Sequence, residues 1–264
     1  MAIITTRYNS MCMGGFVSFT AVIPYEDFGM FPNFNPNPYE CKEPLKTLYL
    51  LHGITGDEKD WLYGTSIARY AEENHIAIIM PDGNNNFYVD NWAGERWGEF
   101  IGKELVEVTR NLFPLSRKRE DTYIGGLSMG GYGAIRNGLK YSDTFSKIIA
   151  LSSALIVYDV PTSTEDAPIP GMRRSGYERR FGPVDKVIGS DMDPEWLYEN
   201  CKNDMKIFMA IGEDDFLTVQ NRRYKAFLEE KGADLYYYEE PGTHEWPFWD
   251  RNIERALKWL NDSL

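Results

Sequence analysis

Ser128 stands in Gly126-Leu127-Ser128-Met129-Gly130-Gly131, a G-x-S-x-G motif. The apolar run Thr122 to Gly126 leads into it and a helical stretch, Tyr132 to Lys140, follows. A serine on a sharp strand-to-helix turn sits in a strained backbone that lifts its Oγ out of the sheet, and the turn closes only between small neighbours. The positive end of the following helix faces the point where an oxyanion forms when the serine attacks a carbonyl. The chemistry implied is nucleophilic acyl transfer, which needs a base. The chain has three histidines, His52, His75 and His244. His75 precedes a buried strand at a helix end, where it is expected to cap carbonyls. His52 ends a strand and is expected to support its loop. His244, in Gly242-Thr243-His244-Glu245-Trp246, lies between the last strand and the last helix. Strand–turn–helix serine sites run serine, acid, histidine along the chain, an order that His244 alone completes. The acid then falls after the run Ile207 to Ile211, where Glu213, Asp214 and Asp215 compete and spacing does not choose among them.

These side chains need a sheet to hold them. Phe16 to Ile23, Thr47 to Leu51, Ile76 to Met80, Thr122 to Gly126, Ile148 to Leu151, Ile207 to Ile211 and Leu235 to Tyr238 are short apolar runs, the mark of strands buried on both faces. Between them, Trp97, Ile101, Leu105, Val108 and Leu112 share one helix face, as do Ile253, Ala256, Leu257, Leu260 and Leu264. Val219 to Lys231 reads as a helix stopped by Gly232. The alternation predicts an α/β fold: a mostly parallel sheet of about eight strands flanked by helices, with Ile3 to Tyr8 and Phe16 to Ile23 as an antiparallel edge. Phe28 to Pro44, rich in proline and asparagine, is expected to be a loop. Ser153 to Asn203 lacks a strong period; residues 1–264 are therefore read as a single domain carrying an insertion at about 153–203 over the site.

The 264 residues carry 28 Lys+Arg against 40 Asp+Glu, a net charge of −12. Such a chain repels phosphate backbones and anionic lipid, so neither nucleic acid nor membrane is expected as a partner. Three scattered cysteines suit neither a disulfide framework nor a thiolate zinc site. Without a signal-peptide pattern or a span-length apolar run, a soluble cytoplasmic protein is expected. Asp82, Asn84, Asn86 and Asp90 match no calcium loop, so no metal is expected. Arg173, Arg174, Arg179 and Arg180 cluster within the insertion and are read either as attracting an acidic substrate or as a solvated, internally paired surface.

The chain resembles the esterase D-like family of α/β-hydrolases, which includes tributyrin esterases, S-formylglutathione hydrolases, and feruloyl and acetylxylan esterases. The resemblance rests on Leu-Leu-His52-Gly53-Ile54, Gly-Leu-Ser128-Met-Gly-Gly-Tyr-Gly-Ala134, Gly-Glu-Asp-Asp215-Phe-Leu217 and Gly-Thr-His244-Glu-Trp-Pro-Phe-Trp249. It implies Asp215 as the acid, and a serine carboxylesterase acting through an acyl-serine without cofactor on a small-molecule, short-chain acyl ester. His52-Gly53-Ile54 then reads as half of an oxyanion hole, with backbone N–H groups from Ile54 and Met129. The same resemblance implies the alternatives: feruloyl or acetyl esters of plant-cell-wall-derived oligosaccharides, or S-formylglutathione. Beside these stands a binding scaffold without catalysis, which the intact Ser128/Asp215/His244 set opposes. The loop Asn84 to Trp92 should wall the pocket, with Tyr88 or Trp92 against the substrate. Association into a homo-oligomer stays open.

Overall fold

The computed structural model describes residues 1–26, 29, 31–32 and 34–262, and the backbone alone at residue 170. One eight-stranded sheet runs through it: β1 (Ala2–Ser10), β2 (Gly15–Ile23), β3 (Lys46–Leu51), β4 (Ile76–Pro81), β5 (Thr122–Leu127), β6 (Lys147–Leu151), β7 (Lys206–Gly212) and β8 (Asp234–Glu240). Their spatial order is β1-β2-β4-β3-β5-β6-β7-β8. The first two strands pair antiparallel with each other, and β2 pairs antiparallel with β4; the remaining pairs are parallel. Each expected apolar run is a strand. All six residues of both β4 and β5 are buried, because helices cover the two faces of the sheet.

On one face lie the helices Leu105–Leu112, Met129–Lys140 and Thr218–Glu230; on the other lie Ile67–Asn74 and Trp246–Leu260. Two expectations about helices are modified. Of the face expected from Trp97 to Leu112, Trp97, Ile101 and Leu105 are buried, but the pitch widens at Phe100–Glu104, where the Leu105 amide donates to Phe100 O five residues back. Val106 and Thr109 therefore turn inward, and Leu112 is left 55% exposed. The last helix starts at Trp246, earlier than its apolar period shows, with Pro247 in its first turn. His75 caps as expected, through its backbone: it is left-handed (φ 52°) and its amide donates to the carbonyls of Ala71 and Glu72. Of the Phe28 to Pro44 loop, Phe28, Met30 and Asn33 lie outside the described residues; the others form turns and irregular backbone.

Parallel pairing sets the location of the site. Leu51 is paired with Gly126, Leu127 with Leu151, Leu151 with Ala210, and Gly212 with Glu240. The loops that follow β3, β5, β6, β7 and β8 therefore leave one edge of the sheet together. Residues between β6 and β7 form short 3₁₀ turns and the helices Arg174–Phe181 and Pro194–Glu199. They are tied down by fully buried Arg136 of the helix Met129–Lys140. Its guanidinium pairs with Asp191 at 2.7 Å and donates to Asp191 O at 3.1 Å. Lys140 reaches the same carboxylate at 2.6 Å, and the Tyr132 hydroxyl donates to Met192 O at 2.7 Å. Buried charge kept in this way must be paired, which fixes the insertion to the helix that begins at Met129. Among the described residues no helix is long and apolar enough to cross a membrane.

Candidate active site

Ser128 caps β5 with φ 54° and ψ −118°, a conformation that costs an L-residue energy and holds only when its surroundings enforce it. Two glycines make the turn possible. A Cβ at Gly126 would lie 2.4 Å from Gly130 C and O, and one at Gly130 would lie 2.4 Å from Leu51 O. One contact is with the backbone of the following helix and the other with that of β3, and neither has room to yield.

The last helix begins just after His244, and the turn after β7 carries Asp215. His244 Nε2 lies 3.0 Å from Ser128 Oγ, and its Nδ1 lies 2.8 Å from Asp215 Oδ2. Asp215 is buried, and its other oxygen accepts the Leu217 amide at 2.9 Å. Burial alone would raise this carboxyl. The His244 N–H, the Leu217 amide and the Ser152 hydroxyl outweigh it and hold Asp215 below the usual carboxylate range. Ser152 is itself held by the Trp249 indole, which donates to its Oγ at 3.0 Å. The Trp249 ring also stands edge-on to His244, centroids 4.9 Å apart. A base whose orientation is fixed from two sides keeps Nε2 aimed at the serine.

The Met129 and Ile54 amides donate to no described group. The loop bearing Ile54 is fixed by buried His52. Gly83 N–H donates to His52 Nε2 at 2.9 Å, so the ring proton lies on Nδ1, which donates to Gly53 O at 2.6 Å. The Tyr88 hydroxyl donates to His52 O at 3.0 Å. Thr55, next to Ile54, has φ 68° and gives its amide to Asn85 Oδ1 at 2.7 Å.

A cavity of about 390 Å³ opens onto Ser128 and His244. Ile54 and Phe87 form one wall, Ile156, Met172 and Tyr177 of the insertion form the roof, and Phe216 and Leu217 follow the acid. Neither aromatic expected in this wall reaches it. Tyr88 is fully buried behind His52; Trp92 is 75% exposed and lies against Gly182, lining a separate groove. Phe87 takes the place instead. Phe87 and Tyr88 both have left-handed φ (54° and 55°), and this kink decides which ring faces the cavity. None of the four clustered arginines lines the cavity either. Arg173 donates to Ala167 O, and Arg174 pairs with Glu178 and Asp185. Arg180 donates to the carbonyls of Asn85, Gly171 and Gly176, and Arg179 borders the Trp92 groove. The polar members the sequence did not single out are Asp159 and Gln220.

A base within hydrogen-bond reach of a serine, a charged orienter behind the base and two vacant amide donors beside it are the parts needed to attack a carbonyl and hold the resulting oxyanion.

Comparison with known proteins agrees. A family model described as "Putative esterase" matches residues 30–260. An acetyl esterase of Caldicellulosiruptor saccharolyticus is 41% identical over 266 residues, covering 99% of this chain and 98% of that protein. Among solved structures, the substrate-bound fluorophosphonate-binding serine hydrolase F of Staphylococcus aureus superposes with a TM-score of 0.83 at 31% identity, covering 98% of each chain. The S-formylglutathione hydrolase of Staphylococcus aureus gives a TM-score of 0.81 at 31% identity, with the same coverage.

Proposed function

Because the chain belongs to this Esterase family and is a serine carboxylic-ester hydrolase of the α/β-hydrolase fold, we propose that Ser128 is its nucleophile, His244 its base and Asp215 the acid that orients the base. The continuous Ser128–His244–Asp215 hydrogen-bond chain carries this reading. His244 takes the Ser128 proton as Oγ attacks the ester carbonyl, then gives it to the departing alcohol. Water, activated by the same imidazole, releases the acid from the acyl-serine. Asp215 stays ionised and stabilises the imidazolium that forms in each step. The Ile54 and Met129 amides hold the oxyanion; losing one such donor costs about 3 kcal/mol of transition-state stabilisation.

Since Asp215 is held below the usual carboxylate range in the folded protein, its ionised form stabilises the fold at neutral pH, and that contribution is lost as the pH falls through the carboxylate range. We therefore expect the Tm difference between the native enzyme and Asp215→Asn to be largest near neutral pH and to shrink on acidification. A difference that grows as the pH falls would contradict this role.

Short-chain acyl esters are the substrates we favour, on the roofed cavity and the likeness to an acetyl esterase. At about 390 Å³ the cavity is at the small end of ligand pockets, roughly 300–1,000 Å³, and it must house groups on both sides of the ester bond. Carbons that do not fit forgo about 0.8 kcal/mol of burial per CH₂. A series of p-nitrophenyl esters should give the highest kcat/KM from acetyl to butyryl and a steep fall by octanoyl. A maximum at octanoyl or beyond would mean the insertion leaves the pocket open. Three free cysteines, one of them exposed Cys41, suit a reducing compartment, and we place the enzyme in the cytoplasm on that ground.

A further inference from the structure

Asp159 is the one charged side chain, His244 aside, among the described residues lining the cavity that holds Ser128. It belongs to the insertion, at the end of the turn Ile156–Tyr158, and is itself solvent-exposed, but the backbone around it is fixed. Its amide donates to Ile156 O at 2.8 Å, and its carbonyl accepts the Thr162 amide at 3.2 Å and hydroxyl at 2.9 Å. Its carboxylate is tethered on one side only: Gln220 Nε2 donates to Oδ2 at 3.0 Å. No described residue donates to Oδ1, and no described cation forms an ion pair with it. The arginines of the insertion are committed elsewhere: Arg173 to Ala167 O, Arg174 to Glu178 and Asp185, and Arg180 to three backbone carbonyls. The field of Asp159 is felt at the roof as well. Burial raises the Tyr177 phenol, Arg180 opposes that rise, and Asp159 adds to it.

Resting on the esterase reading above, we propose that Asp159 selects the substrate by charge, so that the part of the ester filling this cavity is neutral and hydroxyl-bearing or cationic, and carries no carboxylate. The free Oδ1 accepts a hydroxyl or ammonium hydrogen bond from such a group. A carboxylate placed there meets a like charge with no lysine or arginine among the described residues lining the cavity to offset it, on a chain of net charge −12. This reverses one expectation drawn from the arginine cluster, that of an acidic substrate. It also disfavours glutathione thioesters, whose two carboxylates outnumber their one ammonium.

Two unit charges about 6 Å apart in a water-like dielectric of roughly 80, as suits an exposed carboxylate, shift an equilibrium about threefold. The test uses two matched pairs. Acetylcholine against dimethylbutyl acetate, its uncharged isostere, changes the charge on the alcohol side. The p-nitrophenyl monoester of glutarate against p-nitrophenyl valerate changes it on the acyl side. In the native enzyme we expect kcat/KM to favour the cation over its isostere about threefold, or the neutral acyl group over the anion about threefold, according to which end of the ester lies by Asp159. Asp159→Asn should bring that ratio close to one. Each ratio is read within one protein, so a general loss of activity in the variant cancels. Raising the ionic strength should compress the same ratio in the native enzyme, which needs no variant. Ratios that neither Asp159→Asn nor salt changes, in both pairs, would overturn the proposal while leaving the esterase reading intact. Failure of the native enzyme to hydrolyse either neutral ester would count against the esterase reading itself.

Discussion

Ser128→Ala abolishes ester hydrolysis: kcat is expected to fall about 10⁴-fold or more, leaving the activity that oxyanion donors and binding supply without a nucleophile. The fold should survive. The Ser128 hydroxyl donates to His244 Nε2, and His244 is only partly buried, so removing the hydroxyl leaves no buried donor stranded in the core. The strained φ of 54° is a property of the backbone turn and is retained with alanine. The check is kcat for p-nitrophenyl acetate together with a melting curve. Activity within tenfold of the native enzyme, with an unchanged Tm, would show that the reacting serine lies elsewhere.

Asp215→Asn should follow closely, with kcat down about 10⁴-fold, because an amide can present N–H to His244 Nδ1 and turn the imidazole to the wrong tautomer. It also removes the charge that stabilises the imidazolium. Asp214→Asn should leave kcat near the native value: Asp214 is exposed, and it joins the turn through its backbone, its amide donating to Gly242 O. Comparing the two variants at one pH decides between adjacent acids that sequence spacing leaves equivalent. A larger loss in Asp214→Asn would reverse the assignment.

The residues that form the hydrogen-bond chain were legible in the sequence for physical reasons. Strands buried on both faces announce themselves as apolar runs, so β3 to β7 could be placed and the loops at their C-terminal ends read as one cluster. The glycines around Ser128 mark a turn in which a Cβ has no space. Spacing alone left Glu213, Asp214 and Asp215 equivalent, and the resemblance implied Asp215; in the turn itself Asp215 is buried while the other two face solvent. What stayed hidden depends on local dihedrals and on contacts distant in sequence. Nothing in Phe87-Tyr88 shows that two left-handed residues in succession put Phe87 in the cavity and Tyr88 behind His52. Asp159 and Gln220 are 61 residues apart, in a segment without period and on a surface helix, and they meet only when the insertion folds over the sheet edge. Ser152 and Trp249, which steady Asp215 and His244, read in sequence as a strand-end residue and a helix aromatic.

The most direct test of the central claim is to treat the native enzyme with a fluorophosphonate, measure the intact mass and map the modified peptide. The account predicts a single adduct, on Ser128, appearing in step with the loss of esterase activity and prevented by prior conversion of His244 to alanine. An adduct on another serine, or complete loss of activity with Ser128 unmodified, would contradict it.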